Sequence, residues 1–316
     1  MKKLIIALFT LTFLFSGCSG YLYTNSPALE FKNLDYGFPT KSVLKNPSIS
    51  YIEAGQGTQT IILVHGLASN AGFWRYNITE LAKSYRVIAV DLPGYGKSQK
   101  DFYSYSMSFF ADQIKRLADE LHIKKFIYVG HSMGGQIGIT FALKYPQYLE
   151  KLVLASPAGF EEFQTGEGDW MRSVMTISGV KKTNEEGIRR NLAANFYSWN
   201  DKWEWMVEER ARMVTAKEFE PFCYAVVRSV NGMLDEPTFD KLDQIKVPTF
   251  IIYGKYDGLI PNPYLHPGST CNVFEPGAKE IPNCKTYQID NSGHMLQIEQ
   301  PDVFNREVLG FLNNSR

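Results

Sequence analysis

Gly130-His131-Ser132-Met133-Gly134 sets a serine between two glycines. It follows the apolar run Phe126-Ile127-Tyr128-Val129 and precedes a helix-like stretch that runs from Met133 toward Tyr145 and stops at Pro146. A strand that turns sharply into a helix forces the central residue into an unusual backbone conformation. Its neighbours must then lack side chains, and Gly130 and Gly134 meet that need. Ser132 Oγ would stand clear of the strand ends. The Met133 N–H, at the positive end of the helix, would face a developing oxyanion. A serine hydroxyl is a weak nucleophile alone and needs a base oriented by an acid. The chemistry in view is acyl transfer.

In this strand–turn–helix context the acid and then the base follow the serine along the chain. Only His266 and His294 follow Ser132. His266 lies in a His-Pro-Gly loop. His294 follows the run Lys285 to Ile289 and Ser292-Gly293, at the carboxyl end of a strand where ligand sites form, and is the expected base. Asp257 follows the strand-like Ile251-Ile252-Tyr253 and is the expected acid. Asp290 is its rival, nearer to His294 in sequence, but its side chain would have to turn back. The loop His65-Gly66-Leu67-Ala68-Ser69 follows the run Thr60 to Val64, and the Leu67 N–H is the second candidate oxyanion donor. Asp91-Leu92-Pro93-Gly94-Tyr95-Gly96-Lys97-Ser98 is expected to set loop geometry and has no catalytic role.

These residues need a scaffold that ends several strands side by side. Continuous β-branched runs at Thr60–Val64, Arg86–Val90, Phe126 to Val129, Leu152 to Leu154 and Thr249 to Tyr253 predict strands covered on both faces. Amphipathic stretches lie between them, such as Ser108 to Leu121 with Phe110, Ile114, Leu117, Ala118 and Leu121 at helical spacing. The alternation predicts an α/β fold with a mostly parallel sheet. From about 160 to 245 no strand run occurs. Four of the five Trp fall there (Trp170, Trp199, Trp203, Trp205), and Lys202 to Ala216 reads as a helix. This segment predicts an inserted helical unit. Arg189, Arg190, Arg210 and Arg212 within it read as solvated helix faces.

The chain has 316 residues, 44% hydrophobic and 21% charged, which excludes wholesale disorder. Lys plus Arg and Asp plus Glu are 33 each, a balance that argues against a nucleic-acid partner. Met1-Lys2-Lys3 precedes the apolar run Leu4 to Phe15, which at about 12 residues is too short to cross a bilayer and fits a signal peptide. Without residues 1–17 the basic count falls to 31 against 33 acidic, a net charge of −2. Four Cys and no Cys-x-x-Cys pair exclude a disulfide scaffold and predict no metal site.

Two resemblances follow. Leu14-Phe15-Ser16-Gly17-Cys18 resembles the lipobox of bacterial lipoproteins, with Phe15 where Leu is usual. It implies lipidation of Cys18, export, and anchoring at the outer membrane or cell surface, the other expectation being a secreted or periplasmic protein. The motifs His65-Gly66, Asp91-x-Pro-Gly-x-Gly-x-Ser98, Gly130 to Gly134, Gly254-x-x-Asp257 and Ser292-Gly293-His294 together resemble the α/β-hydrolase superfamily over about residues 45–315. Ser156-Pro157-Ala158-Gly159 is similar to its monoacylglycerol-lipase-type esterase branch. The N-terminal residues and the lipobox give a signal peptide at 1–17 and a lipidated Cys and linker at 18–44; the superfamily resemblance implies a hydrolase core at 45–159 and 246–316 with a helical cap at 160–245. The superfamily resemblance also implies hydrolysis of a small-molecule carboxylic ester without a cofactor, by Ser132, Asp257 and His294. Lactonases, thioesterases and carbon–carbon bond hydrolases of ring-cleavage products share that residue set, and a ligand receptor on this fold is a further alternative. The sequence leaves oligomeric state open. The interval from Asp257 to His294 is long for the family. It holds Cys271 and Cys284, for which the sequence leaves two alternatives open: a disulfide loop in an oxidising compartment, or two free thiols.

Overall fold

The computed structural model describes residues 22–313 of the chain. Eight strands form one sheet: β1 (Thr40–Val43), β2 (Ile49–Ala54), β3 (Thr60–Val64), β4 (Arg86–Val90), β5 (Phe126–His131), β6 (Leu149–Ala155), β7 (Thr249–Gly254) and β8 (Cys284–Ile289). Their order is β1-β2-β4-β3-β5-β6-β7-β8. β1, β2 and β4 pair antiparallel, and β4 through β8 pair parallel. Every residue of β3, β5 and β7 is buried, although side chains alternate between the two faces. Continuous apolar runs therefore became fully covered central strands, as expected.

Helices α1 (Ile78–Leu81), α2 (Met107–Glu120) and α3 (Met133–Lys144) lie between strands of the first half of the sheet. Five helices occupy the interval between β6 and β7: α4 (Thr165–Val174), α5 (Ile177–Lys181), α6 (Glu185–Ala193), α7 (Trp205–Met213) and α8 (Phe219–Asp235). The helix expected over Lys202 to Ala216 is the shorter α7. Helices α9 (Thr270–Glu280), α10 (Leu296–Glu299) and α11 (Pro301–Asn313) complete the chain. The extra length between Asp257 and His294 is largely α9. Of the two alternatives for Cys271 and Cys284 the structure has free thiols, Cys271 in the first turn of α9 and Cys284 opening β8.

β3 is the point where chain order reverses. β4 lies on one side of it and β5 on the other, so the loops after β3 and β5 diverge over a crevice at the strands' carboxyl ends. Register places Val64 beside Gly130 and Gly130 beside Leu154. The loop carrying Leu67 and the turn carrying Ser132 thus emerge as neighbours.

Two readings are corrected. Lipidation of Cys18 lies outside the described residues. The linker expected at 18–44, however, is not a free spacer from Leu22 onward. The backbone N–H groups of Leu22, Tyr23 and Thr24 all donate to the Glu185 carboxylate at 2.9 to 3.1 Å, at the start of α6. Phe31, Leu34 and Tyr36 are in the main core, and Phe31 packs on Phe222 with centroids 5.4 Å apart. Single aromatics among Pro and Asn give no periodic signal, because tertiary contacts alone hold them. Phe31→Ala should therefore destabilise the protein by about 3–5 kcal/mol in urea unfolding; a flexible spacer would show no change.

The second correction concerns three of the four arginines; Arg190 is 76% exposed on α6, as expected. Arg210 is partly buried and donates from Nη2 to the Ala68 carbonyl. Arg189 pairs with Glu204, and Arg212 pairs with Glu208 while holding the Pro27 carbonyl. Much of the aromatic content of the insertion is its own core: Phe196 stacks on Trp203 at 4.3 Å, with Ile188, Leu192, Met206 and Val207 around them.

Candidate active site

Ser132 sits between β5 and α3 at φ 54° and ψ −119°, a region that costs an L-residue on the order of 1–3 kcal/mol. The surroundings hold it there. Its N–H donates to Ala155 O at 2.9 Å, and its carbonyl accepts from Gly135 at 2.8 Å and Ala158 at 3.0 Å. The turn is too crowded for side chains. A Cβ on Gly130 would lie 2.2 Å from Gly134 O, and one on Gly134 would lie 2.4 Å from Val64 O.

Asp257 and His294 meet. His294 Nδ1 lies 2.7 Å from Asp257 Oδ2, with side chains 3% and 0% exposed. Oδ1 of Asp257 accepts the N–H groups of Leu259 at 2.9 Å and Ile260 at 3.0 Å. Burial pushes the Asp257 carboxyl up, but His294 and these two amides outweigh it and hold it below the usual range. The carboxylate can only accept, so Nδ1 carries the proton and Nε2 keeps its lone pair. Asp290 points away: its side chain is 72% exposed and pairs with Lys255 at 3.0 Å. His266 instead contacts Glu161 and Glu167. His122 is exposed just past α2.

The base loop lies against the serine turn through His131. Its Nε2–H donates to the His294 carbonyl at 2.9 Å, and the two rings are 4.8 Å apart. No hydrogen bond joins Ser132 Oγ to His294 in this structure; such contacts often tighten only with substrate bound. The loop after β3 closes the other side. A Cβ on Gly66 would touch both the Ser132 Cβ and His131 Nδ1 at 3.0 Å. Neither the Leu67 nor the Met133 N–H has a hydrogen-bond partner among the described residues, so both are available to an incoming oxygen.

Two buried histidines frame this loop as neutral rings. His65 donates from Nδ1 to Gly66 O at 2.7 Å and accepts the Leu92 N–H at Nε2 at 3.1 Å. Burial lowers its pKa to about 4, and burial plus the nearby His294 lowers that of His131 to about 3. Both folded values lie below the ordinary one near 6.5, so the stabilisation is complete above that pH and is lost as pH falls toward 3. Between pH 7 and pH 5 each ring should remove about 2 kcal/mol of stability. Urea titrations at the two pH values check this, and His65→Gln should reduce the loss.

Asp91 organises the neighbouring loop. Its buried carboxylate accepts from Ala71 N–H, Lys97 N–H and Tyr36 O–H at 2.8 to 2.9 Å. The insertion also reaches the site. Asn195 O accepts the Met295 N–H at 3.0 Å, and Tyr197 stacks on Tyr256 at 4.6 Å. The Glu299 carboxylate gathers the N–H groups of Tyr197, Ser198 and Gly293 at 2.6 to 3.2 Å. Sequence reasoning missed Glu299 and Arg210, since neither stands in a motif.

Comparisons with known proteins agree with this architecture. The family model for the alpha/beta hydrolase fold matches residues 59–301. A 2-hydroxy-6-oxononadienedioate/2-hydroxy-6-oxononatrienedioate hydrolase of Escherichia coli K12 is 29% identical over 287 residues, covering 85% of this chain and 92% of its own. An Arabidopsis thaliana 1-acylglycerol-3-phosphate O-acyltransferase is 25% identical, covering 81% of this chain and 67% of its own. The crystal structure of a probable hydrolytic enzyme from Pseudomonas aeruginosa PAO1 superposes with a TM-score of 0.81 at 27% identity, over 91% of this chain and 99% of its own. With its eight-stranded sheet, its serine turn after β5 and a family match over most of its length, the chain belongs to the alpha/beta hydrolase fold family and is a hydrolase.

Proposed function

We propose that the protein cleaves carboxylic esters, lipid-derived or acyl-glycerol esters in particular, through an acyl-enzyme on Ser132. The observation that carries this reading is the buried Asp257–His294 pair at 2.7 Å beside a serine held in a strained turn. His294 Nε2 takes the Ser132 proton as Oγ adds to the ester carbonyl. The Leu67 and Met133 amides receive the oxyanion. Collapse expels the alkoxide, which takes the proton from His294. Water then adds to the acyl-enzyme with His294 again as base, releasing the acid and restoring the Ser132 hydroxyl. Asp257 fixes the imidazole tautomer and stabilises the imidazolium. No cofactor enters this sequence.

Lipid-derived esters are favoured by the anchor expected at Cys18 and by a relative named for acylglycerol phosphate. We place the protein outside the cytoplasm, held to a membrane by a lipidated Cys18, with the helical insertion as its cap. Fatty-acid labelling that persists in Cys18→Ala would sink the anchor.

A second reading, carbon–carbon bond hydrolysis, has one observation in its favour. Arg210 is partly buried beside Ala68, and no carboxylate among the described residues forms an ion pair with it; the neighbouring Glu209 faces Arg75 at 3.8 Å. A half-buried cation without an ion-pair partner suits a substrate carboxylate, and the relatives of that class are named for dicarboxylates. A chain-length series of nitrophenyl esters, run beside a vinylogous diketone, separates the two. Faster turnover of the diketone than of every ester overturns the ester reading.

A further inference from the structure

Outside the catalytic set, two histidine–carboxylate contacts converge on the segment that follows Asp257. Leu259 and Ile260 donate to Asp257 Oδ1. Two residues further, the Asn262 N–H donates to Glu161 Oε1 at 2.7 Å. The same oxygen lies 2.6 Å from His266 Nδ1, and His266 Nε2 lies 3.3 Å from Glu167 Oε2 in the first turn of α4. The His266 ring stacks on Phe163 at 5.4 Å. The Glu161 side chain is 9% exposed, so water competes little for it. His266 is therefore gripped on both ring nitrogens and along one face. These side-chain partners come from the stretch after β6 and the first turn of α4.

We propose that Glu161, locked by His266, is a positioning residue for the acid Asp257. Glu161 fixes Asn262, which fixes the arc from Leu259 to Asn262, whose two amides hold Asp257 Oδ1. With Oδ1 held, only Oδ2 faces His294. Without Glu161 the arc keeps the core packing of Ile260 but loses the side-chain hydrogen bond that fixes Asn262, and the Asp257 carboxylate is held less tightly toward Nδ1. The groups facing His266 are Glu161 and Glu167, and the Asp257 charge acts on Glu161. Hydrogen bonding to Glu161 raises the His266 pKa, which favours the doubly protonated ring that two carboxylates require.

This inference rests on the reading of Asp257 as the acid, and the test keeps the two apart. The full chain and the variants Glu161→Ala, Glu161→Gln, Asp257→Asn and Ser132→Ala are compared in ester turnover, and the low-field proton NMR signal of the His294 Nδ1–H is recorded for each. Asp257→Asn should remove that signal, which assigns it. Glu161→Ala should shift or broaden it, lower kcat about tenfold with KM within twofold, and move the acidic limb of the kcat/KM profile down, because a looser Asp257 stabilises the imidazolium less. Glu161→Gln keeps an oxygen for the Asn262 N–H and should restore most of kcat. An unchanged signal and acidic limb in Glu161→Ala would falsify the proposal. So would a Glu161→Gln variant as impaired as Glu161→Ala. If Ser132→Ala keeps its turnover, the acyl-enzyme reading fails, while the NMR shift still decides the role of Glu161.

Discussion

Ser132→Ala is expected to lower kcat by about 10⁶-fold on any ester the protein turns over, while leaving its folding unchanged. Both halves follow from the geometry. Ser132 Oγ makes no hydrogen bond to other described residues, and the contacts that hold the turn use its backbone. Alanine meets the same strain at φ 54°. Chemically, the substitution removes the atom that forms the acyl bond, and the Leu67 and Met133 amides then have no tetrahedral oxygen to stabilise. A steady-state assay on nitrophenyl butyrate, with thermal unfolding as control, checks it. Labelling by a fluorophosphonate should vanish in the same variant. Residual turnover above about a thousandth of wild type would mean that the reaction does not pass through Ser132.

Asp257→Asn should cost about 10⁴-fold in kcat with little change in KM. The direction comes from the two oxygens of Asp257 having different partners. Oδ1 accepts two backbone N–H groups, so the amide oxygen of asparagine must take that place. Its NH₂ then faces His294 Nδ1 and donates to it. That forces the imidazole proton onto Nε2, the atom that should receive the serine proton. The fold keeps its hydrogen bonds and the base is in the wrong tautomer. Asp290→Asn is the matched control and should leave kcat within twofold, since that carboxylate reaches only Lys255. A large loss in the control and a small one in Asp257→Asn would exchange the two roles.

Much of this site is legible in the primary structure, and the reason is local. Val64, Gly130 and Tyr253 each lie at or near the end of a continuous apolar run, and such runs become buried parallel strands whatever surrounds them. Short motifs at the ends of those strands then inherit their positions from the sheet. What could not be read depends on contacts across long intervals. Phe31 and Tyr36 look like linker residues until Phe222 and Asp91 are beside them. Arg210 follows a helical charge pattern that reads as solvated, yet the turn of α7 carries it under the insertion to Ala68. Glu161 and His266 are 105 positions apart, and nothing about either residue type announces the other. β1 and β2 were missed because one is four residues long and half-exposed, and the other mixes Ser and Glu among its apolar residues.

The grip of the insertion on the acid–base loops also bears on how the base is aimed. The turn from Asn195 to Ser198 is bonded to Met295 and, through Glu299, to Gly293, the residues on either side of His294. An insertion that swung outward as a rigid flap would drag this turn away and slacken the loop that aims the base. The aim of the base is thus set from outside the catalytic set: a substitution that unseats the insertion at Tyr197 or Ser198 would be felt at His294 without touching it.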